Sequence, residues 1–373
     1  MKARRFFSLL LALTMLLCAC SAAGVQGAEG NFGTQVDKKQ VITQITPAVG
    51  ETVTLVSNDL VNFMKGHGLG KGLGVAGFVQ EDMNRPLTLT WQCDKANKGY
   101  TVRYATKTDF SDVVEVKTEE ATLVLDALFT GTTYYWQVVT HMESGDNYSN
   151  VYSFTTANTP RVISLPGATN TRDSGGYLTV DKQYKMKQGM IYRGARLEEL
   201  ESEGRQRALQ VYKIKTDLDL RKEGDWLYTG ESSPLGDGVN YVNIMVRDYT
   251  GAFTYKDEMR DAIRVFADEK NYPVYVHCSA GRDRTGTLLF LIGALCNIPE
   301  ESLYLDYELT YLSPNSYERD DLTGHNSFLK FLELLNEYEG QTINEKAVSY
   351  CKDIGVTDEQ IQSIRSILLE KIG

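Results

Sequence analysis

Residues 277–286, which read His-Cys-Ser-Ala-Gly-Arg-Asp-Arg-Thr-Gly, carry the side chains whose types and spacing best suit chemistry. An apolar run at 272–276 precedes them and predicts a buried strand, and an apolar run at 287–296 follows them and predicts a helix. In a strand-to-helix turn the backbone N–H groups converge, and the helix N-terminus adds partial positive charge. The sequence therefore predicts an anion-binding loop with Cys278 at its base and Arg284 at its rim.

This arrangement suits nucleophilic attack on a phosphate monoester. A helix N-terminus and a nearby cation lower the pKa of a thiol, so Cys278 is the candidate nucleophile. The Arg284 guanidinium can grip two phosphate oxygens, and the Thr285 hydroxyl can stabilise the thiolate as it leaves. Asp283 is the candidate acid that protonates the departing alcohol or phenol. The predicted phosphate-binding residues are Ser279, Ala280, Gly281, Arg282, Asp283 and Arg284.

The motif resembles a known signature. Cys-x5-Arg followed by Thr-Gly, with His277 before the cysteine, resembles the signature of the protein tyrosine phosphatase superfamily. The full string is similar to that of one bacterial branch, the secreted or cell-surface tyrosine and phosphoinositide phosphatases. The resemblance covers roughly 161–373. Three more stretches within it resemble the branch: Asn-Thr-Arg-Asp-Ser-Gly-Gly at 170–176, Ile-Tyr-Arg-Gly at 191–194 and Asp-Leu-Arg at 219–221.

The resemblance implies a cysteine-dependent phosphatase that hydrolyses phosphotyrosine proteins, phosphoinositides or both through a cysteinyl-phosphate. It implies no metal or organic cofactor, because the loop supplies the positive charge. Arg282 stands where the branch usually has Lys, at a position linked to inositol phosphate recognition, and Gly194 stands where it usually has Ser. Two alternatives stay open: an inositol polyphosphate (phytate-like) phosphatase, and a non-enzymatic surface binding protein with a silent phosphatase fold.

The general acid and the supporting residues also need assignment. Asp248 lies thirty residues before the nucleophile, where related phosphatases carry their acid on a mobile loop, so it competes with Asp283 for that role. Asp219 and Arg221 are expected to hold the loop by ion pairing rather than to contact substrate. His277 is expected to have a structural role behind the loop.

Composition excludes several classes of protein. The chain has 373 residues and a net charge of −10, with no basic block, which excludes a nucleic-acid partner. Its 42% apolar and 24% charged residues are typical of a soluble globular protein. The six cysteines show neither zinc-site spacing nor a disulfide framework, so we expect no metal site and free thiols beyond the leader.

The first forty residues predict export. A positively charged start precedes an apolar run at 6–17, which is short for a membrane span and typical of an export signal. The ending Leu-Cys-Ala-Cys resembles a bacterial lipobox, which predicts a lipoprotein signal peptide at 1–19 and lipid attachment at Cys20. Small polar residues at 20–39 predict a flexible tether. We expect anchoring by lipid at the outer face of the bacterial cell membrane; the alternative is ordinary signal cleavage and a secreted protein.

Residues 40–159 have the periodicity of an all-β domain. Short alternating runs recur about every ten residues, with Gly, Asn and Asp between them, which predicts a β-sandwich. The stretch 123–135 resembles a fibronectin type III domain, so we expect a spacer or a docking module. The predicted strands lie at 52–55, 87–92, 100–104, 113–116, 122–125, 134–139 and 151–155.

Residues 160–373 change to alternating strand and helix patterns. This alternation predicts an α/β domain with a parallel-rich sheet, helices on both faces and ligands at the carboxyl ends of the strands. Helical spacing of apolar residues predicts helices at 197–211 and 253–268. Capping boxes at Thr342-x-x-Glu345 and Thr357-x-x-Gln360 predict the starts of two more.

Overall fold

The computed structural model describes the chain without its first forty residues, two internal stretches and its last residue, that is residues 41–66, 83–313 and 325–372. The predictions of a signal peptide at 1–19, of lipid attachment at Cys20 and of a tether at 20–39 lie outside the described residues. Within the described ranges, no helix combines the length and the apolar character needed to cross a membrane.

The first described region forms two β-sheets around a shared core. One sheet has the order β1-β3-β6, and the other has the order β2-β9-β7-β4-β5 with β8 paired to β7. Trp91 from the first sheet and Trp136 and Phe154 from the second pack together in that core. The strands are β1 (Ile42–Thr46), β2 (Glu51–Val53), β3 (Leu87–Cys93), β4 (Tyr100–Ala105), β5 (Val114–Thr118), β6 (Thr122–Leu125), β7 (Thr133–Met142), β8 (Gly145–Tyr148) and β9 (Tyr152–Thr156).

Each of the seven strands predicted in this region overlaps an observed strand. Among the described residues of this region, β1, β8 and a helix, α1 (Asn58–Gly66), were not predicted. Only Leu60 of α1 is fully buried, and it joins a small cluster with Leu309 and Leu312 of the second region. Helix α1 escapes prediction because it is short and its apolar contacts are to a distant part of the chain.

The second region contains a five-stranded sheet and most of the helices. Its strands are β10 (Arg172–Asp173), β11 (Tyr184–Met186), β12 (Ile191–Gly194), β13 (Thr216–Asp219), β14 (Asn240–Asn243), β15 (Val274–His277) and β16 (Leu369–Lys371). Its helices are α2 (Ser202–Gln206), α3 (Gly251–Thr254), α4 (Lys256–Val265), α5 (Asp283–Leu295), α6 (Glu300–Glu308), α7 (Phe328–Leu335), α8 (Ile343–Asp353) and α9 (Asp358–Leu368).

The sheet has the order β10-β12-β15-β13-β14, which places β15 at the centre. Strands β12, β15, β13 and β14 run parallel, and only the edge strand β10 is antiparallel. Ile191, Val274 and Val276 point into one core with α4, α5 and α7, whereas Tyr192 and Tyr275 point into another core beside α2. The predicted parallel-rich sheet with helices on both faces is therefore confirmed.

Helix boundaries differ from the predictions in three places. The helix predicted at 253–268 is divided at Tyr255 into α3 and α4. Helix α5 begins at Asp283, four residues before the apolar run, so the last residues of the 277–286 motif supply its first turn. The helix predicted at 197–211 begins only at Ser202 and continues as a π-helical turn, because the chain before it forms a turn in which Glu198 pairs with Arg221. Both predicted capping boxes, at Thr342 and Thr357, are present.

The two regions contact each other through polar groups as well as through α1. Arg161 pairs with the fully buried Asp173 at 2.9 Å and donates to the carbonyl oxygen of Leu128. Gln188 of the second region accepts from the backbone N–H of Thr130 at 2.9 Å. Residues 40–373 accordingly form one compact unit, and the predicted division at 159/160 stays a prediction.

Candidate active site

The loop that carries Cys278 connects the central strand β15 to the buried helix α5. This is the carboxyl end of a parallel sheet, where ligands of α/β proteins bind. Gly281 makes the loop tight enough: its φ is +66°, and a Cβ there would lie 2.1 Å from the carbonyl oxygen of Gly194. A glycine is required at this turn, because any side chain would push the loop off β12.

Side chains from the segment just before β10 and from β12 hold the loop from outside. Asn170 donates from Nδ2 to the carbonyl oxygens of Ala280 at 3.0 Å and Gly281 at 3.1 Å. Arg193 donates to the same Gly281 oxygen at 2.9 Å. Because the C=O and N–H of a peptide unit point in opposite directions, these contacts turn the N–H groups of the loop inward. The loop is thereby built to receive an anion.

A buried carboxylate fixes the two arginines that support the loop. Asp306 of α6 pairs with Arg172 at 3.1 Å and also with Arg193. Burial alone would raise the pKa of Asp306, but the two guanidinium groups lower it below its ordinary value. Asp306 was not predicted as part of the site, since its partners lie more than a hundred residues away in the sequence.

The Cys278 thiol lies at the base of the loop with 2% of its surface exposed. Burial by itself would raise its pKa, but the Arg284 guanidinium and the side chain and backbone N–H of Thr285 outweigh burial and lower it. A lowered pKa increases the fraction of thiolate, which is the nucleophilic form. The predicted nucleophile therefore has the electrostatic surroundings that the chemistry requires.

Arg284 is held by a carboxylate that the sequence did not reveal. Its two terminal nitrogens lie 2.7 and 3.2 Å from the two oxygens of Asp225, and Nη2 also donates to Ser279 Oγ at 3.2 Å. Burial would raise the pKa of Asp225, but hydrogen bonds from Arg284 and from the backbone N–H of Lys222 lower it. Because Asp225 contacts only the two terminal nitrogens of Arg284, it fixes the direction of the guanidinium. The Nε of Arg284 makes no contact with Asp225.

Asp283 is the candidate acid with the more specific surroundings. Burial raises its pKa above the ordinary value, against the opposing effects of Arg282 and of a hydrogen bond from the Tyr249 hydroxyl. Asp248, the competing candidate, contacts Asn326 at 3.4 Å. It lies close enough to Asp283 to raise the pKa of that carboxyl. The structure thus brings both candidates to the same side of the loop.

His277 has a partner that the sequence analysis did not name. Its Nε2 lies 2.9 Å from Oδ1 of Asp217, and both side chains are fully buried. The contact is an ion pair rather than an aligned hydrogen bond. Burial would lower the pKa of His277, but Asp217, followed by Asp219, raises it to about 9. The alternation Thr-Asp-Leu-Asp in β13 could have indicated this partner. Two carboxylates on one face of a buried strand need a cation nearby.

The contacts of Asp219, Arg221, Gly194 and Arg282 complete the surroundings of the loop. Asp219 accepts hydrogen bonds from the side chain of Arg221, which also pairs with Glu198. Gly194 proves necessary, because a Cβ there would lie 2.1 Å from the Tyr275 hydroxyl. Arg282 is half-buried, and its Nε lies 3.4 Å from Asp283 Oδ1.

The structure brings nearly all predicted site residues together around the loop. Cys20 lies outside the described residues. Among the described residues, no three metal-ligating side chains form a metal-binding group, and the four cysteines there are free. Asp219 and Arg221 lie beside the end of β15, and Asp248 lies near Asp283. The residues of β15, the loop and the first turn of α5 are His277, Cys278, Ser279, Ala280, Gly281, Arg282, Asp283, Arg284 and Thr285.

Solved structures with some likeness to the chain are distant. The catalytic core of the PP-IP phosphatase SIW14 from S. cerevisiae shares 16% identity over 49% of this chain and 94% of its own, with a TM-score of 0.30. The fibronectin type-III domain of human fibronectin type III domain containing protein 3 shares 22% identity over 23% and 79%, with a TM-score of 0.17. The FN1–FN3 domains of chicken CNTN1 share 15% identity over 40% and 45%, also with a TM-score of 0.17.

Sequence comparison gives a firmer result. No curated protein matches the chain significantly. The profile of the Tyrosine phosphatase family, however, matches residues 163–370, which is more than half of the chain and contains every element of the loop site. On this evidence the chain belongs to the tyrosine phosphatase family.

Proposed function

We propose that this protein hydrolyses phosphate monoesters of phosphotyrosine proteins, phosphoinositides or both, through a cysteinyl-phosphate intermediate. The observation that carries the proposal is the placement of Cys278 and Arg284 on one loop between the central strand and a buried helix. Arg284 lowers the pKa of the thiol that it faces. A thiolate beneath an inward-facing set of N–H groups and a guanidinium is suited to attack on a bound phosphate.

In the first step the Cys278 thiolate attacks phosphorus, and the bond between phosphorus and the leaving oxygen breaks. Arg284 and the loop N–H groups bind the non-bridging oxygens, whose charge they stabilise in the transition state. The departing oxygen takes a proton from Asp283, so an alcohol or phenol leaves rather than its anion. The product of this step is a phosphate group bound to the sulfur of Cys278.

In the second step a water molecule attacks phosphorus, and the bond between sulfur and phosphorus breaks. Asp283, now ionised, takes a proton from that water and so returns to its starting state. The sulfur leaves as a thiolate, which the Thr285 hydroxyl and the positive charge of Arg284 stabilise. Inorganic phosphate is released, and no other reactant is consumed.

The choice of Asp283 over Asp248 as general acid rests on surroundings that keep a proton on the carboxyl. Burial raises the pKa of Asp283, and a hydrogen bond from Tyr249 fixes its orientation. We expect Asp283→Asn to reduce kcat for phenyl phosphate by about 10²–10⁴, and to affect an aryl phosphate with an electron-poor phenol much less. Asp248→Asn, measured on both substrates, is the matched comparison. A larger and leaving-group-dependent loss in that variant would transfer the role to Asp248.

The location and the role of the first region are also proposals. The leader sequence and Cys20 support export and attachment by lipid to the outer face of the bacterial cell membrane. We propose that the first region is fibronectin type III-like and acts as a spacer or docking module beside the catalytic region. Labelling of the expressed protein with a radioactive fatty acid tests the anchor, and Cys20→Ser is expected to abolish the label. Equal labelling of that variant would contradict lipid attachment there.

The deciding experiment is phosphate release from a phosphotyrosine peptide, a phosphoserine peptide, a phosphoinositide and inositol hexakisphosphate under reducing conditions. Wild type is compared with Cys278→Ser, and Cys93→Ser is the control because Cys93 is a half-buried cysteine of the first region. We expect release by wild type and by the control, but not by Cys278→Ser. Preference for inositol hexakisphosphate would support the inositol polyphosphate alternative. No release by wild type would favour the binding-protein alternative.

A further inference from the structure

Two buried tyrosines form a hydroxyl chain that ends on Asp283. Tyr249 donates to Oδ1 of Asp283, and its hydroxyl oxygen lies 2.6 Å from that of Tyr307. A phenol carries one proton, so a Tyr249 hydroxyl that donates to Asp283 must accept from Tyr307. The chain therefore runs from Tyr307 through Tyr249 to one particular oxygen of the carboxyl.

The position of Tyr249 is fixed by several independent contacts. Its backbone has a φ of +49°, a left-handed conformation that a non-glycine residue adopts only when its surroundings impose it. Its N–H donates to Thr287 Oγ1 at 3.2 Å, and the Thr287 hydroxyl donates to the carbonyl oxygen of Asp283 at 2.8 Å. Its ring packs edge-on against Tyr307 and Phe328. The phenol thus has little freedom to leave the carboxyl.

We propose that Tyr249, supported by Tyr307, is a positioning residue that fixes the orientation of the Asp283 carboxyl through the hydrogen bond to Oδ1. The inference rests on the proposed function, and specifically on Asp283 as its general acid. A carboxyl held at one oxygen by a rigid phenol cannot rotate freely, so its direction relative to the loop is set by the Tyr249 ring. Tyr249 thereby aligns the acid without contacting the substrate.

The groups around Asp283 determine how its pKa changes when the hydrogen bond from Tyr249 is lost. Arg282, Arg284 and the Tyr249 hydroxyl favour the ionised carboxyl, whereas burial and Asp248 favour the neutral one. Two further phenols, Tyr307 and Tyr311, face the same carboxyl from α6 and the segment after it. Without the Tyr249 hydroxyl one stabilising contact of the carboxylate is gone, so the pKa of Asp283 rises further.

The test is Tyr249→Phe, which removes one oxygen atom and keeps the ring. With phenyl phosphate, kcat is expected to fall by about tenfold, a part of the 10²–10⁴ that a general acid supplies. With an electron-poor aryl phosphate, which needs no proton, kcat is expected to change by less than about threefold. KM and the inhibition constant of inorganic phosphate are expected to stay unchanged, and the alkaline limb of kcat is expected to move to higher pH.

Two companion variants separate alignment from general damage. Tyr307→Phe shortens the chain by one hydroxyl and is expected to give a smaller effect of the same pattern. Tyr304→Phe, which removes a hydroxyl that hydrogen-bonds Glu300 on α6, is the control and is expected to behave as wild type. An equal loss on both substrates, or an unchanged pH profile in Tyr249→Phe, would overturn the proposal while leaving the proposed function intact.

A measurement without turnover keeps the inference independent of the proposed function. The titration of Asp283 is followed by infrared difference spectroscopy, with Asp283→Asn identifying its carboxyl band. Its pKa is expected to be higher in Tyr249→Phe than in wild type, and higher also in Tyr307→Phe by a smaller amount. An identical titration in wild type and Tyr249→Phe would refute the inference whether or not any substrate is hydrolysed.

Discussion

Replacement of Asp217 by Asn is expected to destabilise the protein in a pH-dependent manner. Asp217 and His277 form a fully buried ion pair at 2.9 Å, and His277 directly precedes Cys278, the proposed nucleophile. Burial alone would lower the pKa of His277, but Asp217, followed by Asp219, raises it to about 9. Asn keeps the shape and an oxygen that can accept from Ser233, which now donates to Asp217 at 2.7 Å. The substitution therefore removes the charge and little else.

The magnitude follows from the pKa of His277 in the two states. Its pKa is about 9 in the folded protein and 6.5 in the absence of a partner. A difference of about 2.5 pH units corresponds to about 3 kcal/mol, at about 1.4 kcal/mol per unit. Because the folded state holds the proton more tightly, this stabilisation is fully present below pH 6.5 and is lost as the pH rises through 9.

The assay is urea unfolding between pH 6 and pH 9.5. Both proteins should carry Cys278→Ser, because a thiol whose pKa is lowered by folding contributes stability of the opposite pH dependence. We expect Asp217→Asn to cost about 3 kcal/mol at pH 6 and much less at pH 9.5. Asp146→Asn removes the partly exposed His141–Asp146 pair, which has a similar length of 2.8 Å, and is the matched control. Its cost should stay below about 1 kcal/mol throughout.

Two results would refute this reasoning. The first is that the unfolding free energy of the protein that keeps Asp217 does not fall between pH 6.5 and pH 9. The other is a cost of Asp217→Asn that is the same at both ends of the range. In either case the ion pair would not be what keeps His277 protonated in the folded protein.

Three further predictions concern the surroundings of the loop. Asp306→Asn leaves two buried guanidinium groups without their carboxylate and should cost about 3–5 kcal/mol in urea unfolding. Gly194→Ala places a Cβ 2.1 Å from the Tyr275 hydroxyl and should cost about 1–3 kcal/mol, whereas Gly238→Ala, with no atom within 4 Å, should be neutral. Arg284→Lys loses the planar fork and should lower kcat/KM by about 10²–10³ without affecting the unfolding free energy comparably.

Each of these has an outcome that would contradict it. The prediction for Asp306→Asn is contradicted if the variant loses no more unfolding free energy than Asp353→Asn, which removes an exposed pair with Lys256. For the glycine, the contrary result is equal melting temperatures of the two alanine variants. For the arginine, it is a lysine variant that retains wild-type kcat/KM on the preferred substrate.

The sequence determined the local elements and the residue types of the loop that carries Cys278. The strand before Cys278 and the helix after it follow from runs of apolar residues, and the caps at Thr342 and Thr357 follow from residues three positions apart. These features depend on interactions within one turn or one strand, which spacing along the chain expresses directly. The strands of the first region are readable for the same reason, because alternation has a period of two residues.

Only the tertiary structure decided which charged groups meet. The parallel pairing of β13 with β15 sets Asp219 opposite His277 and brings Asp217 within reach of its ring, sixty residues away in the chain. Asp225 reaches Arg284 from a loop 59 residues earlier, and Asp306 reaches the supporting arginines from another helix. Such pairs depend on sheet register and helix packing, to which no periodicity along the chain corresponds. The sequence therefore supplied the reacting groups, and the fold supplied the partners that set their charge and direction.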